Sequence, residues 1–197
     1  MSQFEYVMVL ISIIVGLAVA HILLGISGIV DRVMGHKEPL ELSLAHATWL
    51  ASVFGWLILF WWWEYRFSTR VEEWTVGLYF FLVFYAVILF LLATTLAPRT
   101  WDGVHSLKHY FLERRAFFYG LYMFANAIDL VDGWLKGGLD YFLHTIGVGA
   151  LSFSLVTFPV GIIGIATRNM TFHNWAGVGF MVGQYLIGFG ALSRLLA

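Results

Sequence analysis

Six separate runs of predominantly apolar residues, each nineteen residues or longer, dominate this chain of 197 residues. An α-helix rises about 1.5 Å per residue, so about 20 residues cover the roughly 30 Å hydrocarbon core of a bilayer. Membrane spans are therefore expected at about 4–30, 43–63, 74–97, 116–134, 143–166 and 174–192; the third carries no charged residue at all. Strands of a membrane barrel would instead alternate polar and apolar residues in segments of about ten. Continuous runs predict helices. Charged residues make up 12% of the chain, against about a quarter in soluble domains, so the chain lacks the polar surface a soluble fold needs. A net charge of −1 removes the basic footprint of a nucleic-acid binder. With no cysteine, thiolate metal sites, disulfides and cysteine nucleophiles are out of reach.

The expected fold is an all-α polytopic membrane protein: one integral membrane domain over 1–197, built as a six-transmembrane-helix bundle. Pro98 can close the third span, and Trp101 to Arg115 then reads as one short interfacial helix between the third and fourth. Ala18-Val19-Ala20 resembles a signal-peptidase site, but no positive segment precedes it and the apolar run continues to Val30. The first run is expected to be a retained span.

Orientation follows from Lys and Arg in the short connections. The side facing the first, third and fifth connections holds Arg32, Lys37, Arg99, Lys108, Arg114, Arg115 and Arg168. The opposite side, with both termini, holds Arg66, Arg70, Lys136 and Arg194. The first side is expected to be cytoplasmic and both termini non-cytoplasmic. Indole rings favour the headgroup layer, and eight of nine tryptophans, all but Trp56, fall at expected span ends. No lysine falls within an expected span, which excludes a retinal Schiff base. Glu64, Glu72 and Glu73 with Arg66 and Arg70 read as a solvated hairpin.

Lipid gives helices no hydrophobic drive to associate, so close packing relies on small residues. The sixth span offers Gly177, Gly179, Gly183, Gly188 and Gly190, and the first offers Gly16, Ala20, Gly25 and Gly28. Such stripes with the aromatic load serve intrachain packing, a homo-oligomer or a larger membrane complex, with the bilayer itself as the remaining partner.

Ionisable groups within spans are costly and face the bundle interior, where they mark pathways and sites. Counting residues inward from the span ends places His21, Asn126, Gln184, Ser154 and Thr157 near mid-membrane, with Asp129 one turn further. Asn126, Asp129 and Asp132 recur every third residue and so share one helix face. Together they predict a polar pocket for protons or small ions. Asp129 would be the carrier, His21 its partner or gate, and Pro159 the hinge of the fifth span.

His105, His109 and Glu113 recur every fourth residue, the ligand types and spacing of a weak divalent-metal candidate. His36, His46 and His173 fall toward the same side. A haem between His21 and His46 is disfavoured, because residue counts separate their depths by about 10 Å. No phosphate loop, nucleophile elbow or zinc-protease signature appears, so catalysis is not expected and no cofactor is required. The alternatives to ion passage are a non-catalytic accessory or assembly subunit and, third, a metal- or haem-binding redox protein.

Two segments carry a resemblance. Phe4-Glu5-Tyr6-Val7, continuing through Ile11-Ser12-Ile13-Ile14-Val15-Gly16 to His21-Ile22-Leu23, is similar to the opening of a widespread group of bacterial multi-pass membrane proteins. His109-Tyr110-Phe111-Leu112-Glu113-Arg114-Arg115, leading to Asp129-Leu130-Val131-Asp132, resembles the middle of the same group. The resemblance implies a bacterial inner-membrane setting and transfers no activity.

Overall fold

The computed structural model describes residues 3–35, 37–71 and 74–196. His36, Glu72, Glu73 and the side chain of Arg194 lie outside the described residues. The chain forms α1 (Gln3–Val33), α2 (Leu44–Glu64), the one-turn α3 (Phe67–Arg70), α4 (Val76–Leu96), α5 (Leu107–Asp140), a π-helical segment (Tyr141–Gly147), α6 (Val148–Ala166) and α7 (Met170–Leu196). Apart from one bridge between Glu41 and Ser106, the described residues contain no β-structure. Four helical stretches among them are long and apolar enough to cross a membrane: Gln3–Val33, Leu44–Arg70, Val76–Leu96 and the 60-residue Leu107–Ala166.

Polar residues punctuate the apolar runs. Ser43, Thr75 and Ser106 cap α2, α4 and α5 by accepting from the backbone N–H three residues on, at 3.4, 3.2 and 3.2 Å. Each cap satisfies one of the donors a helix start leaves open. The cap at Ser106 also corrects an expectation. No separate interfacial helix precedes the fourth span; residues 97–106 are irregular, and α5 runs unbroken from Leu107 into the bundle. Its interruption comes at the other end, where Gly137 and Gly138 leave helical geometry, Gly138 with φ +59°. Gly147, at φ +89°, separates the π-helical segment from α6. Positive φ strains any residue with a Cβ, so these glycines bend the 60-residue stretch. Pro159, expected to loosen the fifth span, lies inside a continuous α6.

Around the bundle α1 packs on α4, α4 on α5, α5 on α6 and α7 on α2, while α2 also touches α1, α4 and α5. Glycines set the closest approaches: a Cβ on Gly25 would meet Ala97 at 2.7 Å, and one on Gly164 would meet Tyr119 at 2.5 Å. In α7 the glycines facing α2 are Gly177, against Thr48, and Gly188, against Leu59. Gly183 faces Phe153, whereas Gly179 meets nothing within 4 Å, so these two four-spaced residues do not form one contact stripe.

The ends of α1 and α4 carry a second correction. His21 Nε2 lies 2.9 Å from the Ala97 carbonyl, and His46 Nε2 lies 2.6 Å from that of Leu96. Both imidazoles therefore occupy one level, at the C-terminus of α4, where they satisfy carbonyls that a helix end leaves open. Depth from the end of α1 misled because α1 continues to Val33, well past the level where α4 stops. Arg32 secures the adjoining loop, donating to the carbonyls of Trp101 at 2.9 Å and Val104 at 3.2 Å, and lying over the Trp101 ring.

Candidate functional site

Six of the expected polar residues do come together. Asn126, Asp129 and Asp132 of α5, Ser154 and Thr157 of α6, and Gln184 of α7 line one cavity of about 120 Å³. Their three-residue spacing turns the face of α5 inward. Asn126 Nδ2 donates to the Ser154 carbonyl at 2.9 Å, joining α5 to α6. Asp129 Oδ1 accepts from the Tyr85 hydroxyl at 2.8 Å, and that hydroxyl lies 3.2 Å from its own donor, Trp56 Nε1. A relay of three side chains from α2, α4 and α5 thus holds the Asp129 carboxyl at the cavity. His21 is not among these residues. Its ring nitrogen is engaged at the α4 terminus, and it does not line the cavity.

Two residues that the sequence assigned to the surface lie inside. Lys136, counted as a loop cation, is 2% exposed within α5, and Glu64, assigned to a solvated hairpin, is 1% exposed at the end of α2. Lys136 Nζ donates to Glu64 Oε1 at 3.1 Å and also to Asp132, itself 3% exposed, one helical turn back. The ammonium sits 4.7 Å from the centre of the Phe67 ring. An ion pair this dry is maintained only if its members neutralise and bond each other. A signal was present: Asp132 and Lys136 are four apart, hence neighbours on one helix face. Lys136 within a helical stretch also removes the premise on which a retinal site was excluded. Thr157 is buried, its hydroxyl bonded back to the Phe153 carbonyl at 3.4 Å, while Gln184 Oε1 has no partner.

Beyond Asn126 and Thr157 the polar lining gives way to packed rings. Trp49, fully buried, lies with ring centres 5.1 Å from Phe118, 5.4 Å from Tyr119, 5.0 Å from Tyr122 and 5.3 Å from Phe180. Its expected place at the headgroup layer is therefore wrong; it fills the bundle core. On the far side of this cluster the Tyr119 hydroxyl is 3.0 Å from His173 Nδ1. His173 Nε2 and Arg115 Nε both reach the Thr167 carbonyl, at 3.2 and 3.0 Å.

The metal candidate does not assemble. His105 precedes the helix, so it does not share the stripe of His109 and Glu113; it pairs with Glu38 at 3.4 Å, while His109 pairs with Glu113 at 3.0 Å. No group of three or more His, Cys, Asp or Glu among the described residues is placed to hold a metal ion. His21 and His46, level after all, spend their Nε2 atoms on carbonyls rather than facing a common ligand.

No family model matches the chain, and neither a curated protein nor a solved structure matches it.

Proposed function

We propose that the chain crosses the bacterial inner membrane six times and passes protons or small ions by way of the cavity between α2, α5, α6 and α7. One observation carries this reading. Six polar side chains from three helices meet in a cavity whose wall also includes Lys136, although exposing such groups within a span is costly. The bend at Gly137 and Gly138 supports two crossings within the 60-residue stretch, and α7 lying along α2 supports a sixth. With Lys136 removed from the loop count, seven cations face three across the expected membrane, so the cytoplasmic assignment of the first, third and fifth connections gains weight.

In this mechanism Asp129 takes the proton or cation, Tyr85 and Trp56 hold its carboxyl in place, and Asn126, Thr157 and Gln184 solvate the charge. His21 has no part in it. The test is proton flux into liposomes that hold the purified protein, under an imposed pH and voltage gradient. Wild type should exceed empty liposomes and Asp129→Asn should not. Equal flux in wild-type and empty liposomes would remove proton passage, and the same measurement with sodium or potassium would then decide small-ion passage.

A second reading, an accessory subunit of a larger complex, draws on glycines with open faces. Gly16 in α1, Gly120 in α5 and Gly179 in α7 meet nothing within 4 Å. Such a subunit would leave the membrane with its partner and tolerate Asp129→Asn.

A further inference from the structure

The Glu64–Asp132–Lys136 triad is unbalanced in charge and in hydrogen bonds, and both imbalances have one remedy. Two carboxyls flank one ammonium, with Lys136 Nζ bonded to Glu64 Oε1 and to Asp132 Oδ2. The remaining oxygens, Glu64 Oε2 and Asp132 Oδ1, are buried without a donor. Glu64 Oε1 and Asp132 Oδ2 converge on the one ammonium, so the two carboxyls stand side by side. Ionised carboxylates only accept, so two of them on one ammonium repel and leave both outer oxygens unsatisfied. A single proton between them gives one O–H donor, satisfies the second oxygen and brings the triad to neutrality. Buried orphan acceptors and uncompensated charge are each costly, so that proton removes two penalties at once.

We propose that Glu64 and Asp132 share one resident proton, making this pair, rather than Asp129 alone, the protein's proton-binding site. Asp132 and Lys136 line the cavity and Glu64 does not, so the proton exchanges with the cavity through Asp132 while Glu64 anchors it from behind.

The groups facing the pair are few. From α2 comes Glu64 itself and from α4 Tyr85, bonded to Asp129; α5 contributes Asp129, Asp132 and Lys136, and the π-helical segment contributes Tyr141. Arg70 lies over the Tyr141 ring. The lining from α6 and α7 is uncharged, Ser154, Thr157 and Gln184. Among the described residues, Lys136 is thus the one cation bonded to the pair.

The inference builds on the proposed passage only in giving the proton a use; the site itself is tested without flux. Infrared difference spectroscopy of the full chain in lipid, with hydrogen–deuterium exchange, reads the C=O stretch of a protonated buried carboxyl at neutral pH. We expect one such band in wild type, lost in Glu64→Gln and in Asp132→Asn and kept in Asp129→Asn. Far-ultraviolet circular dichroism establishes that each variant is folded. In Glu64→Gln the amide can donate to Asp132 in the proton's place, which favours folding. Absence of the band in wild type, or its loss in Asp129→Asn alone, overturns the assignment. Flux that fails while the band behaves as expected would remove passage and leave the proton site standing.

Discussion

Lys136→Met removes one positive charge from a buried site. Met keeps the length of the apolar stem over Phe67, so the substitution isolates the ammonium. In wild type that ammonium lies 3.1 Å from Glu64 Oε1 and also bonds Asp132, with all three residues at most 3% exposed. Breaking a buried pair from one side costs about 3–5 kcal/mol, because the remaining charge has neither partner nor water. With one proton shared between Glu64 and Asp132, a single carboxylate charge remains, so the expected loss lies within that range. Neutralising them as well should restore most of it, since replacing a whole buried ion cluster is often neutral or stabilising. Unfolding by a denaturing detergent, followed by circular dichroism in micelles, would measure Lys136→Met and the triple variant with Glu64→Gln and Asp132→Asn. Lys108→Met, at an exposed position of α5, should stay within about 0.5 kcal/mol of wild type. A loss below about 1 kcal/mol for Lys136→Met, the range of an exposed pair, would mean that water reaches the triad. A triple variant no better than the single one would show that charge is not what the substitution removes.

Three further outcomes follow from separate contacts. His46→Ala strips the Leu96 carbonyl of its 2.6 Å partner in a buried setting, so the same unfolding assay should show a loss of about 1–3 kcal/mol; His21→Ala, half-buried, should cost less. Gly177→Ala would put a Cβ 2.2 Å from Thr48 Oγ1 and should cost about 1–3 kcal/mol by overpacking, whereas Gly179→Ala, with open space, should be close to neutral; equal effects would refute the assigned face of α7. Tyr85→Phe removes both the donor to Asp129 and the acceptor of Trp56, so stability should drop by about 1–3 kcal/mol with a change in tryptophan emission, and unchanged emission would place Trp56 outside that relay.

How much of this was legible in the sequence depended on whether the signal was local. Apolar runs and their caps are local, and the helices follow them closely: α4, bounded by Thr75 and Pro98, lies where an uncharged run predicted it. The inward face of α5 is local too, since three-residue spacing alone puts Asn126, Asp129 and Asp132 together. Depth was not local. It depends on where the neighbouring helix ends, and α1 overruns α4, which moved His21 from the expected middle to the α4 terminus. The burial of Glu64 and Lys136 was missed for a related reason. Each stands at the edge of an apolar run, where a charge normally meets water, and only the pairing across α2 and α5 draws both inward. Trp49 failed the same way: a tryptophan near a span end is an interface residue unless rings from α5 and α7 surround it.

The polar groups are distributed unevenly along α5, and this bears on how the proposed passage must work. Titratable side chains are dense from Lys136 to Asp129, and uncharged donors and acceptors continue to Asn126 and Thr157. There the path meets the rings around Trp49, and polar contact resumes only at Tyr119 and His173. A pore open to both sides would not place packed aromatics across its course. On the proposed passage the cavity ends at these rings, so transfer across them requires either a rotation of Tyr122 or a displacement of Trp49. Tyr122 is the better placed of the two: it lines the cavity, packs against Trp49, and stands one turn from Tyr119 on the same helix. Both rings are wedged between helices: Trp49 packs on Phe118 of α5 and Phe180 of α7, and Tyr122 packs on Trp56 of α2 and Phe180 of α7. On the proposed passage Tyr122, the ring of the two that faces the cavity, is where the rate should be set.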